Sequence, residues 1–216
     1  MDSATLYLIL NATWQTLYMV IIAGVVAVVL GLPVGILLVL MRPQHLWSAP
    51  KFHRLLSLLI NALRSIPFII LLVAIIPFTR FIVGTSIGTT AAIVPLSLCA
   101  FPFVARITEN AIDELSAGLI EASLAMGAST GQIVWHFLLP EALPSLIRGI
   151  TLMLVTLVGY SAMAGAIGGG GLGDVAIQYG YERFEIKVMI ITVILLVVMV
   201  QLLQWLGDWL ANYFRR

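Results

Sequence analysis

Apolar runs broken by short polar segments dominate the chain, and their lengths predict its elements. Residues 3–41 contain no Asp, Glu, Lys or Arg. A helix crosses a bilayer core in about 20 residues, so this run predicts an amphipathic lead-in over about 5–12 and a first span over about 15–40. Leu32-Pro33-Val34-Gly35 predicts a kink near the end of that span. Residues 42–54 read as a basic loop, 55–77 as a second span broken by Arg64 and Pro67, and 79–85 as a short polar turn. A third span is predicted over 86–105, with Pro95 and Pro102 inside it. After a long polar segment at 106–148, spans over 149–167 and 188–207 flank a Gly-rich loop at 168–186. The pattern therefore predicts a single all-α transmembrane domain with five spans.

The polar segment holds the most ordered local chemistry, between Glu121 and Pro140. Leu119, Ala122 and Met126 are spaced to share one helical face, with Glu121 and Ala125 turned away. Gly127 offers a left-handed stop. Ser129 with Gln132 three residues later is a capping box for a second helix. Ile133, Val134, Phe137 and Leu138 recur at helical spacing, and Pro140 is expected to end that helix at Leu139. A small amphipathic helix–turn–helix between membrane spans implies a docking partner.

Composition agrees with the pattern. Of 216 residues, 61% are hydrophobic and 10% charged, against about 25% charged in soluble domains. The net charge of +1 argues against nucleic acid as a partner. The single Cys99 lies in an apolar run and leaves no disulfide framework or thiolate metal site. Asp2 and the lack of a basic stretch before the first apolar run predict a first span that is not cleaved. Lys and Arg in the loops set orientation. Arg42, Lys51, Arg54, Arg106, Arg148, Arg215 and Arg216 fall on one side, and Arg80, Arg183 and Lys187 on the other. That bias puts 106–148 and the C-terminus in the cytoplasm, and the N-terminus outside.

Catalysis finds little support. His45, His53 and His136 share no metal-ligand spacing with carboxylates. No HExxH, Walker A or GxSxG pattern occurs, and Gly168–Gly171 is not followed by GK[ST]. Energy for uphill transport must then come from a partner or an ion gradient. An ion-coupled carrier would normally place carboxylates within its spans, and the predicted spans hold none. Five kinked helices scarcely surround a solute path, which points to a two-fold homodimer with the path on its axis.

Two constellations lie within spans. Arg64 has a structural reading, in which it snorkels or bonds carbonyls freed by Pro67, and a substrate-contacting one; the sequence favours the structural role. Gly159, Ala162, Gly165 and Ala166 permit close helix approach. Tyr160, Ser161 and Met163 among them would line a central path with hydroxyls and a soft apolar surface. Gly168–Gly173 reads either as a tight re-entry or hinge at the outer face or as a plain turn.

Glu121-Ala122-Ser123, three residues, Gly127, nine residues, then Phe137-x-Leu139-Pro140 resembles the EAA motif of ABC importer permeases. Ser123 and Phe137 replace an Ala and an Ile of that pattern. RSIPFIILL at 64–72, LLPEALP at 138–144 and TLVGYSAMAGAIGGGGLG at 156–173 extend the resemblance to methionine importer permeases over most of the chain from about residue 14. The resemblance implies a type I ABC importer permease fold in the bacterial inner membrane, with two copies of this chain and two copies of a cytoplasmic ATPase. ATP and magnesium would be bound by that ATPase, which carries a methionine-sensing domain, and no cofactor by this chain. An external methionine-binding protein, often lipid-anchored, would deliver substrate, L- or D-methionine. Glu121, Ala122, Ser123 and Gly127, with Ala125 and Ala128 beside them, become the coupling helix and its turn, and Leu139-Pro140 the end of the motif. The same machine for another amino acid or small nutrient is the alternative.

Overall fold

The computed structural model describes residues 3–43 and 46–215; Asp2, His45 and Arg216 lie outside them. Its elements are α1 (Ser3–Leu40), α2 (Pro50–Arg64), α3 (Phe68–Ala74), α4 (Ile76–Val83), α5 (Thr89–Asp113), α6 (Ala117–Ala125), α7 (Thr130–Gln132), α8 (Leu139–Gly165), α9 (Gly171–Val175) and α10 (Ile186–Tyr213). Two π-helical segments, Ile133–Leu138 and Ala176–Tyr181, precede α8 and follow α9. Helices α1, α5, Thr130–Gly165 and α10 are each long and apolar enough to cross a membrane. The α2–α3 pair makes a fifth crossing only if it counts as one span, because it bends by 97° at its break.

Several boundaries differ from those predicted. The lead-in and first span are one helix of 38 residues that passes through Pro33. At about 1.5 Å per residue it exceeds the roughly 30 Å hydrocarbon core, so amphipathic lead-in and apolar run share one rod. The second span is no straight rod, since Ser65, Ile66 and Pro67 interrupt it and α3 leaves at a steep angle. The 79–85 turn is mostly α4, which closes at Gly84 in a left-handed conformation of φ 81°. The third span continues to Asp113, carrying Arg106, Glu109 and Asp113 on its end.

Apolar packing explains the arrangement. The main core joins α1, α5, α8, α9 and α10 through Met19, Leu96, Met153, Leu157, Leu172 and Met199, all buried. Gly31 and Gly35 on α1 lie one turn apart on the face toward α5. A Cβ on Gly31 would stand 2.5 Å from the Phe101 carbonyl oxygen, and one on Gly35 2.5 Å from that of Ala105. This small-xxx-small step brings the two backbones together where the sequence suggested only a kink. Outward, Tyr7, Trp14, Tyr18, Ile21, Val25 and Val29 form an exposed stripe along α1. At this spacing the stripe is a helix face offered to lipid or to another membrane segment.

The Gly-rich loop is a folded wedge. Its short helix α9 buries Gly171, Leu172, Gly173 and Val175. Gln15 Oε1 accepts a 2.8 Å hydrogen bond from the Gly171 N–H, and Thr16 Oγ1 one of 2.9 Å from the Leu172 N–H. Side chains of α1 thus satisfy open N–H groups at the buried start of this helix. Thr16→Val keeps the shape and leaves the Leu172 N–H unpaired. It is expected to destabilise by roughly 1–3 kcal/mol, read as a lower melting temperature of the purified protein. An unchanged melting temperature would show that the bond contributes nothing.

Candidate functional site

One end of the bundle seats α6 on a second apolar cluster. Val39 and Leu40 of α1, Ala111 and Ile112 of α5, Ile133, Val134 and Leu138 of the π-helical segment, and Ala142 and Leu146 of α8 form it. Leu119 and Ile120 pack against this cluster, and Ser123 is fully buried, its hydroxyl donating to the Leu119 carbonyl at 2.7 Å. The inward face is therefore Leu119, Ile120 and Ser123. This corrects the expectation that Ala122 and Met126 share a face with Leu119: both are exposed, beside Glu121, Leu124 and Ala125. The heptad-like spacing allowed either set, and the shape of the cluster selects the face carrying Ser123.

The turn after α6 follows its sequence. Gly127 has φ 76°; its N–H donates to the Leu124 carbonyl, and the Ala128 N–H to that of Ser123. These bonds close the helix as a left-handed glycine cap does. Ala128 turns back onto the apolar cluster. Ser129 and Gln132 form both halves of a capping box. Pro140, however, does not end the second helix. It sits in the first turn of α8, and the path runs unbroken from Thr130 to Gly165. The π-helical turn immediately before it shifts the hydrogen-bond register, so the N–H that proline lacks is not required there. Leu139 is half-buried against the cluster and Pro140 exposed. One packed cluster thus joins α6 to the helix that carries residues 156–165.

Beside this cluster lies an ion network that sequence reasoning missed. Glu109, 1% exposed, accepts from Arg42 Nη2 at 2.6 Å and from Arg106 Nη1. Arg42 Nη1 also bonds Asp113 at 2.5 Å, and His53 Nε2 lies 3.7 Å from Glu109. Arg106 Nη2 reaches across to α2, donating to Ser57 Oγ at 2.5 Å and Asn61 Oδ1 at 3.0 Å. The carboxylate thereby ties the end of α1, α2 and α5 together. Arg106, Glu109 and Asp113 at i, i+3 and i+7 on one helix face were the available signal; Arg42, 67 residues away, was not.

Within the membrane the predicted pathway residues separate. Ser161 is buried and donates to the Val158 carbonyl at 2.7 Å, so its hydroxyl is used inside the chain. Met163 is exposed. Tyr160 stacks on Phe68, ring centroids 4.6 Å apart and planes within 4°. Tyr160 also borders a cavity of about 220 Å³ with Arg64, Cys99, Phe103, Met153 and Thr156. The Arg64 guanidinium stands over the Phe103 ring, 5.6 Å from its centroid. A further cavity of about 350 Å³ opens between α3, α4 and α5, beside Thr79, Ser86 and Gly169.

A multi-helix membrane domain with an exposed helix docked on the apolar core at one end is the architecture of a transporter's membrane subunit. Residues 31–216 match the family described as binding-protein-dependent transport system inner membrane component, and the chain belongs to that family. It is 55% identical over 205 residues to a probable D-methionine transport system permease protein MetI of Vibrio cholerae, covering 95% of this chain and 91% of the relative. Identity to the D-methionine transport system permease protein MetI of Escherichia coli is 54% over 165 residues, 76% of each chain. The backbone superimposes on a crystal structure of the MetNI methionine ABC transporter in an inward facing conformation with a TM-score of 0.98, at 51% identity and 100% coverage of both chains. An amino acid ABC transporter solved with histidines shares the fold, at TM-score 0.78 and 20% identity over 99% of each chain.

Proposed function

We propose that the chain is the membrane permease of an ATP-driven methionine importer, working as a two-fold dimer. In this reading residues 106–148 and the C-terminus face the cytoplasm and the N-terminus lies outside. Two copies of a cytoplasmic ATPase dock on the outward faces of the two α6 helices, and an external binding protein delivers L- or D-methionine. The observation that carries the reading is the seat of α6. Glu121, Ala122, Leu124, Ala125 and Met126 stand clear of their own protein, while the opposite face is locked onto α1, α5 and α8. An exposed apolar patch rimmed by charge marks a protein contact. The whole-length likeness to the methionine transporter and its permease relatives supports the substrate.

Mechanically, ATP-driven closure of the two ATPases would bring the α6 helices together. Because Leu119 and Ile120 grip the same cluster as Ile133, Leu138 and Leu146, that motion is passed to α8. The ATPases must contact the two permease states differently for coupling to occur. Exposed apolar residues Ile69, Ile70, Val73, Phe78 and Phe81 on α3 and α4 offer surface for a second copy. Tyr160 and Met163 remain pathway candidates, while the buried Ser161 serves as helix packing.

Reconstitution with the ATPase and binding protein tests the reading. Labelled L- and D-methionine are expected to accumulate in vesicles only when ATP is supplied, and to do so after the proton gradient is collapsed. Uptake without the ATPase that responds to the gradient would identify an ion-coupled carrier instead. Transport of a different solute alone would remove methionine from the assignment.

A further inference from the structure

We propose that the cavity between Arg64 and Tyr160 holds an amino-acid zwitterion during transit, with the Arg64 guanidinium binding its carboxylate. The inference rests on the reading of the chain as an amino-acid importer permease. Arg64 ends α2 where the backbone breaks, and it borders a cavity about halfway along α5 rather than a loop. Among the described residues no carboxylate lies within ion-pair distance of it; the acidic groups that pair with arginine here are engaged by Arg42 and Arg106. Its neighbour in space is the face of Phe103. A ring face attracts a cation but offers no acceptor for the guanidinium's five N–H groups. An exposed guanidinium on the rim of this cavity, with no carboxylate partner among the described residues, is therefore a fork for a carboxylate, which it grips in bidentate fashion.

The remaining walls suit the rest of such a ligand. Phe103, Met153 and Tyr160 supply aromatic and thioether surface, which packs well against an unbranched sulfur-containing side chain. Thr156 adds a hydroxyl, although its Oγ1 donates to the Leu152 carbonyl at 2.9 Å, leaving it as an acceptor for an ammonium group. The volume of about 220 Å³ falls below the ~300–1,000 Å³ of drug-sized ligand pockets and matches one small molecule. The break at Ser65–Pro67 interrupts one wall of the cavity, a hinge position at which a site that must release its ligand can open.

Cys99 provides a direct probe, being the only cysteine in the chain and part of the same wall. The complex with its ATPase is placed in nanodiscs, and modification of Cys99 by a small methanethiosulfonate is followed by the intact mass of this chain. Methionine is expected to slow the reaction, whereas methioninol, which lacks the carboxylate, should need about ten times the concentration, the effect of losing a charge-assisted bond. Arg64→Gln should abolish that difference while Cys99 still reacts, and Arg64→Lys should restore part of it. A negatively charged reagent should outpace a positively charged one only when position 64 is cationic. Equal protection by methionine and methioninol, protection that survives Arg64→Gln, or a Cys99 that no reagent reaches would each overturn the proposal. Protection by histidine or glutamine but not methionine would leave the carboxylate site standing and remove methionine as the substrate.

Discussion

Glu109→Gln is expected to melt the purified protein roughly 6–12 °C lower, from a loss near 3 kcal/mol at about 2–4 °C per kcal/mol for a chain of this size. Glu109 is buried, and two guanidiniums converge on it. Breaking a buried pair by removing one partner costs roughly 3–5 kcal/mol. The low end applies here because Arg42 and Arg106 keep partial contact with solvent and because the amide preserves shape. The consequence reaches beyond stability. Arg106 is oriented by Glu109 and in turn holds Ser57 and Asn61 of α2, so loosening the carboxylate frees the helix that ends at Arg64. Uptake should therefore fall along with melting temperature. Glu141→Gln, at an exposed carboxylate in the first turn of α8, should change neither by more than about 0.5 kcal/mol equivalent. A Glu109→Gln protein that melts like the parent would show that the network is held by Asp113 and the helix ends alone.

The contrast between that network and the stretch from Glu121 to Pro140 explains what could be read from the chain. The capping box at Ser129, the left-handed turn at Gly127 and the apolar spacing of Ile133, Val134 and Leu138 are local, decided by residues within a turn or two of one another. All three were legible, and so were the long apolar helices. What was not legible depends on which distant surface each element meets. Ser123 rather than Met126 faces inward because the ends of α1, α5 and α8 form a cluster whose shape no single stretch records. Arg42 finds Glu109 across 67 residues. The glycines at 168–173 read either as a tight re-entry or hinge or as a plain turn, and they make a buried wedge because Gln15 and Thr16 meet its N–H groups. Pro140 read as a stop, and the π-helical turn before it absorbed the missing donor. Arg64 and Pro67 marked the break between α2 and α3 correctly, but the 97° bend that opens the Arg64 cavity depends on how each half packs on α5.

Gly127→Leu is expected to abolish coupled transport while the permease still inserts into the membrane. A Cβ at this position meets nothing of its own chain within 4 Å, so the substitution does not disturb the seat of α6. Holding a non-glycine residue at φ 76° costs about 1–2 kcal/mol, which the packed face of α6 tolerates. The added side chain projects from the same exposed end as Glu121, Ala125 and Met126, where the ATPase is proposed to sit. Obstruction at the centre of such a contact costs at least about 2 kcal/mol, near 30-fold in affinity. ATPase recovered with the permease should drop by about that factor. Glu121→Lys, which reverses the charge on the same face without backbone strain, should leave more ATPase bound but waste its hydrolysis. Gly84→Leu separates strain from docking, because Gly84 has φ 81° and equally open surroundings at the end of α4. If Gly84→Leu lowered ATPase recovery as much as Gly127→Leu, backbone strain and not docking would account for the loss. Full recovery and normal uptake in both Gly127→Leu and Glu121→Lys would place the proposed ATPase contact elsewhere on the chain.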